Sequence, residues 1–128
     1  MNTNPRRADL RVGKNAKEEQ AVLLRGIGRL DGCSDASELE VALDVVTGAL
    51  QGLFRVPKDV DNNNLEELLA WLSSRHWVDK SATEALEEVL QIEDWDKYDE
   101  AVIQKEQVDM LADTLRELHR RIKAHARS

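Results

Sequence analysis

Apolar residues recur every three or four positions along most of the 128-residue chain, the period of helices that bury one face. From Ala16 to about Leu30, Ala21, Leu23, Leu24, Ile27 and Leu30 form one such stripe, and Asp31-Gly32 supplies a stop. Ser37 with Glu40 has the spacing of a capping box and opens a second helix, carrying Leu39, Leu43, Val46, Leu50 and Leu53. Pro57 forces that helix to end at about Arg55–Val56, because the residue before a proline is pushed out of the helical region. The polar loop PKDVDNNN, residues 57–64, ends in a run of asparagines suited to capping a third helix, from Leu65 to about Arg75. Leu65, Leu68, Leu69 and Leu72 face inward there with Trp71 beside them. A second capping box, Ser81 with Glu84, opens a fourth helix bearing Ala85, Leu86, Val89 and Leu90. The last and longest helix runs from about Gln104 to Ala126, with Val108, Leu111, Leu115, Leu118 and Ile122 as its seam. Residues 1–14 show no period and read as a mobile arm. The expected fold class is all-α: a flexible basic arm over 1–15 and one antiparallel bundle of about five helices over 16–128.

Composition agrees with that architecture. With 34% charged residues, two prolines and six glycines, the chain suits a helical domain better than a β-sandwich or a collagen-like repeat. At this length a single core can form without disulfide or metal staples. Cys33 is the sole cysteine, which excludes an intrachain disulfide and makes a reducing compartment the default. No apolar run approaches the roughly 18 residues of a membrane span, and Met1 to Lys14 lacks an apolar leader core. A cytoplasmic location is the expectation.

The net charge of −7 is unevenly spread. Residues 1–15 carry +3, from Arg6, Arg7, Arg11 and Lys14 against Asp9. Residues 116–128 carry +4, from Arg116, Arg120, Arg121, Lys123 and Arg127 against Glu117. The intervening segment therefore holds −14, and a body so acidic repels phosphate backbones. Direct nucleic-acid binding is disfavoured. A basic protein partner, or mimicry of nucleic acid toward a nucleic-acid-binding protein, fits the charge better.

Candidate chemistry is sparse. His76, His119 and His125 lack the spacing of a zinc site, and the acidic stretch after the fourth helix lacks the glycine and closing glutamate of a calcium loop. No metal and no cofactor are expected. Gly26-x-Gly28 follows no strand and lacks the third glycine of a phosphate loop, so helix packing explains it better. Cys33 has no evident base beside it and reads as a partly buried thiol. Arg120 and His125 have the R-x4-H spacing of some helical ribonucleases, in which arginine holds phosphate and histidine moves a proton. Basic residues in the last turns of a helix also complement its negative end. Among the tryptophans, Trp71 suits the core. Trp95, set among Glu93, Asp94, Asp96, Asp99 and Glu100, suits a partner surface.

Three successive stretches, ELEVALDVVTGALQGLF, NLEELLAWLSSRHWVDKSATEALEEVLQI and VIQKEQVDMLADTLRELHRRI, together resemble the HEPN superfamily of small helical domains from prokaryotic toxins and defence systems. Catalytic members of that superfamily place R-x4-H between the last two helices. Here the corresponding stretch is Glu93-Asp94-Trp95-Asp96-Lys97-Tyr98, with Glu93 in the arginine position and Tyr98 in the histidine position. A carboxylate cannot hold a phosphate, so the resemblance implies a degenerate, non-catalytic member serving in dimerisation or partner binding.

The leading expectation is a non-enzymatic interaction module that meets a protein partner through Glu93, Asp94, Trp95, Asp96, Asp99 and Glu100. Two alternatives stand beside it: a metal-independent ribonuclease using Arg120 and His125, and a nucleic-acid-mimicking inhibitor. A homodimer is an open option, because the seam of the last helix can pack within one chain or against a twin.

Overall fold

The computed structural model describes residues 5–11, 16–90 and 105–126. Among the described residues, five α-helices follow a single turn of 3-10 helix at Arg7–Asp9: α1 (Ala16–Gly32), α2 (Ala36–Leu53), α3 (Leu65–Ser74), α4 (Ser81–Leu90) and α5 (Lys105–Ala126). Among the described residues there is no strand. An antiparallel bridge joins Leu10 to Phe54. The all-α bundle expected from the apolar period is the observed architecture.

Helices α1 and α2 form an antiparallel hairpin, α5 lies against α1 on one side and α4 on the other, and α3 connects α2 to α4. The inward stripes meet in one core. Leu23, Ile27 and Leu30 of α1 join Leu39, Val46 and Leu50 of α2, Leu68 and Leu72 of α3, and Leu86 of α4. Val108, Leu111, Leu115, Leu118 and Ile122, the whole seam of α5, are buried within the one chain. Gly26 has a packing role: a Cβ there would stand 2.9 Å from Val46 Cγ2 and 3.2 Å from the Val46 backbone nitrogen. Gly28 would meet nothing within 4 Å, so the packing reading of the glycine pair applies to Gly26 alone.

Helix boundaries correct the sequence reading in three places. Helix α2 begins earlier than a Ser37–Glu40 box requires. Asp35 is the N-cap, its Oδ1 accepting from the Glu38 amide at 2.8 Å, while the Glu38 carboxylate accepts from the Ser34 amide at 2.8 Å. Both pairs have box-like spacing, but capping at Asp35 places Leu39 a full turn inside the helix, where it is buried. Ser81 is the first residue of α4 rather than its cap, the turn being opened by the amides of Ala82 and Thr83 on the carbonyls of Asp79 and Lys80. Helix α2 stops at Leu53, ahead of the position set by Pro57, because Phe54 is already extended (φ −118°, ψ 146°) and bridged to Leu10. The asparagine cap of α3 is as expected, with Asn64 Oδ1 accepting from the amides of Glu66 and Glu67.

A further correction concerns the arm. Residues 7–11, which the sequence reads as part of a mobile segment, are tied to the bundle. The Arg11 amide donates to Leu53 O at 2.8 Å and the Arg55 amide to Asp9 O at 2.8 Å. Leu10 and Asp9 are both buried. Arg11 Nε also donates to the carbonyls of Gln51 and Phe54 at the end of α2, where carbonyls lack helical partners.

Candidate interaction surface

Burying one stripe of each helix leaves its polar stripe outside, and on α2, α3 and α4 those outer stripes are acidic. Leu65, Leu68, Leu69 and Leu72 turn α3 so that Glu66, Glu67, Ala70 and Ser73 face out. Ala82, Ala85, Leu86 and Val89 do the same for α4, exposing Glu84, Glu87 and Glu88. On α2, Leu39, Leu43 and Val46 leave Glu40 and Asp44 exposed. Two open recesses result. One, of about 510 Å³ between α3 and α4, is lined by Glu66, Glu67 and Glu87 with Ala70, Ser73 and one cation, Lys80. The other, of about 410 Å³, lies where α2 meets the loop before α3 and is lined by Glu40, Asp44, Asp61 and Glu66. Glu66 borders both. Asp61 is set by its own loop, its amide donating to Glu67 Oε2 at 2.9 Å and its Oδ1 accepting from the Asn63 amide.

Among the described residues no three carboxylates, histidines or cysteines converge as a metal site would need. Spread carboxylates beside small side chains instead offer separate acceptors to separate cationic groups. The residues expected from the sequence to form the partner site, Glu93, Asp94, Trp95, Asp96, Asp99 and Glu100, lie outside the described residues. The acids of the two recesses escaped sequence reasoning because they come from three helices and a loop. Each separately looks like the ordinary wet face of an amphipathic helix.

The Arg120–His125 pair does not converge. Five residues of helix separate the two side chains by about 140° around the axis. Arg120 is 74% exposed and paired with Glu117. The His125 ring turns back into the fold, with Nδ1 2.8 Å from the Arg121 carbonyl oxygen and the ring edge-to-face with Trp77 at 5.1 Å. Arg120 and His125 are thus each engaged with a different neighbour, Glu117 in one case and Trp77 in the other.

A second polar constellation gathers at the α3–α4 turn, whose Lys80 also lines the first recess. The buried Asp9 carboxylate accepts from Arg75 Nη2 at 2.8 Å, from Arg75 Nε at 3.1 Å and from Trp77 Nε1 at 3.1 Å. The Asp9 hydrogen bonds, and then its charge, push the Arg75 guanidinium above its already high ordinary value. Trp77 is wholly buried, edge-on to Phe54 at 5.1 Å, and its carbonyl accepts from Arg121 Nη1 at 2.8 Å. The α3–α4 turn delivers it there. His76 has a positive φ of 67°, and the Trp77 and His76 amides donate back to the carbonyls of Leu72 and Ser73. That is the hydrogen-bond pattern of a Schellman motif, here with histidine where glycine is usual.

Near α5's C-terminal half, His119 is held below the ordinary histidine value. Partial burial is the main cause and the Lys123 charge adds to it, while a hydrogen bond to the Gln20 backbone opposes both. Cys33 is buried, in keeping with a structural thiol. Trp71 is half-buried against the core and edge-on to Phe54 at 6.1 Å. No helix among the described residues is long and apolar enough to cross a membrane. Comparison with known proteins adds no assignment: no family model, no curated protein and no solved structure matches the chain.

Proposed function

We propose that the chain is a non-enzymatic, HEPN-like helical interaction module whose acidic side engages a protein partner bearing lysine or arginine side chains. The observation that carries this reading is the pair of adjoining recesses sharing Glu66, in which carboxylates from α2, α3 and α4 stand exposed and apart. Helix α4 leads in sequence from Glu87 to the further acids Glu93, Asp94, Asp96, Asp99 and Glu100 around Trp95, which extend the acidic character of the same part of the chain. Trp95 then serves as the apolar anchor and the carboxylates as the orienting rim. The HEPN resemblance supplies the setting, prokaryotic defence or a toxin–antitoxin pair. The divergence of Arg120 and His125 favours this module over a ribonuclease.

The test is a tagged pull-down from the native host, with the eluate scored for protein and nucleic acid. A stoichiometric protein partner is expected, lost on combined Asp44→Lys, Glu66→Lys and Glu87→Lys but kept on Glu18→Lys, with helical circular dichroism unchanged in both. Retention of the partner by the folded triple variant overturns the surface assignment. RNA in the eluate that disappears with Arg120→Ala restores the ribonuclease reading.

A further inference from the structure

The recess between α3 and α4 is not uniformly acidic, and its charges are ordered along its length. Leu86 of α4 lines the adjoining recess beside Leu65 and Glu66, so the far end of α4 lies at the start of α3. Lys80, just ahead of α4, therefore lies at the end of α3 with Ser73 and Ser74, which line the same recess. Lys80 marks the turn end, and Glu66, Glu67 and Glu87 mark the other. The Ser74 and Thr83 hydroxyls donate to the carbonyls of Trp71 and Lys80, which leaves the Lys80 ammonium as the charged group of the turn end. Among the described residues Lys80 forms no ion pair, even with Glu84 one turn along α4. Glu66 and Glu87 likewise form none, while Glu67 takes the Asp61 amide. Opposite charges thus share one recess without neutralising each other. Ser74 and Glu66 stand at opposite ends of α3, about 12 Å apart along its axis.

We propose that the occupant is an extended segment of the protein partner carrying charge of both signs: a carboxylate set against Lys80, and a lysine or arginine about 12 Å further along, set against Glu66 and Glu87. The inference rests on the acidic side being the partner surface and specifies what that partner presents there. A segment of positive charge alone meets the Lys80 ammonium at the turn end, a like-charge contact that opposes binding. A helix about 10 Å across and 12 Å long fills about 900 Å³, more than the roughly 510 Å³ of the recess. An extended chain lays every second side chain on the same side, and residues four apart span about 13 Å. The acid and the base therefore stand at i and i+4. Any base beyond them meets Asp44 and Asp61 in the adjoining recess. Lys80 thus sets the register of the segment, and the carboxylates hold it.

The test reads the sign of one charge. Fluorescent peptides of glycine and serine carry a glutamate at i and lysines at i+4 and i+6, and are made in both chain directions. Each has a counterpart with glutamine in place of the glutamate. They are titrated into the full chain at low ionic strength, where exposed pairs are least screened, and followed by fluorescence anisotropy. In one chain direction the glutamate peptide should bind about two- to fivefold more tightly than its glutamine counterpart, although its net positive charge is lower. Lys80→Gln should remove that preference, and Glu66→Gln with Glu87→Gln should weaken both peptides, with helical circular dichroism unchanged in each variant. Tighter binding of the glutamine peptides in both directions overturns the proposal. So does a preference that survives Lys80→Gln, or the absence of saturable binding by every peptide. The pull-down decides the broader reading separately: a recovered partner lost with the Asp44, Glu66 and Glu87 triple variant keeps the acidic surface even where the two-signed segment fails.

Discussion

The α1–α2 hairpin and the corner where residues 7–11 meet the α3–α4 turn are held by different forces. In the hairpin, contact is made by shape. Gly26 lets the α1 backbone approach Val46 so closely that no methyl group fits between them, and the surroundings are apolar. At the corner, contact is made by charge and hydrogen bonds around one buried carboxylate, with the aromatic rings of Phe54 and Trp77 as backing. Apolar packing is forgiving of which hydrophobe fills a place, whereas a buried polar tie fails when one partner is lost. The two regions should therefore respond to opposite kinds of substitution.

The largest effect is expected at the corner. Asp9→Ala leaves the buried Trp77 indole N–H without its acceptor and removes both charge-assisted bonds of Arg75. Arg75 itself, 38% exposed in its side chain, can recover water. A loss of about 2–3 kcal/mol follows from one stranded buried donor and one broken ion pair. It is measured as a lower urea midpoint at unchanged slope. A cost no greater than that of an ordinary surface substitution, up to about 0.5 kcal/mol, breaks the comparison, because the carboxylate is then not what holds the corner.

In the hairpin, two glycines a single residue apart should give effects of opposite sign. Gly26→Ala places its Cβ 3.1 Å from Val45 Cγ1 and closer still to Val46, and the backbone nitrogen at 3.2 Å cannot rotate away. Overpacking of this kind costs about 1–3 kcal/mol, partly offset by a helix-propensity gain of about 1 kcal/mol, so a net loss near 1 kcal/mol is expected. Gly28→Ala meets open space and keeps only the propensity gain, raising stability by about 0.5–1 kcal/mol. Thermal unfolding of the two variants side by side reads the difference. Equal shifts would mean that the helix approach at Gly26 is not tight.

What the sequence revealed follows the same division. The five helices were legible because each carries a repeated apolar period, and a period survives uncertainty about any one residue. Caps were less legible: Asp35–Glu38 and Ser37–Glu40 satisfy the same spacing two residues apart, and only the hydrogen bond from the Glu38 amide to Asp35 Oδ1 in the folded chain selects between them. The corner was not legible. Asp9 looks like one acid in a basic arm, and its partners Arg75 and Trp77 lie far along the chain with no pattern linking the three. His76 gave no sign of its left-handed turn, because the sequence marker for such a turn is glycine. The acidic recesses fall between these cases. Each carboxylate was predictably outward, but their meeting across α2, α3 and α4 is a property of the assembled bundle.

The smallest expected effect separates the regions by pH. His119 lies on α5 against α1, and partial burial with the Lys123 charge lowers its affinity for a proton in the folded chain. The unfolded chain, with the ordinary value of about 6.5, then binds more protons than the folded one as pH falls below that value. Stability contributed by neutral His119 is present above about pH 6.5 and is lost progressively as pH drops toward the lowered folded value. His119→Gln should flatten that part of the stability profile, by less than either glycine effect. His76 and His125 are common to both proteins, so the difference between the two profiles isolates position 119. The test is urea unfolding of both proteins at intervals from pH 7.5 to about pH 5. A wild-type profile that rises on acidification relative to His119→Gln would reverse the sign and mean that the Gln20 hydrogen bond outweighs burial and Lys123 together. Asp9→Ala, measured in the same series, should shift the profile downward across the whole range without altering the His119 step, because the two sites share no partner and should contribute additively.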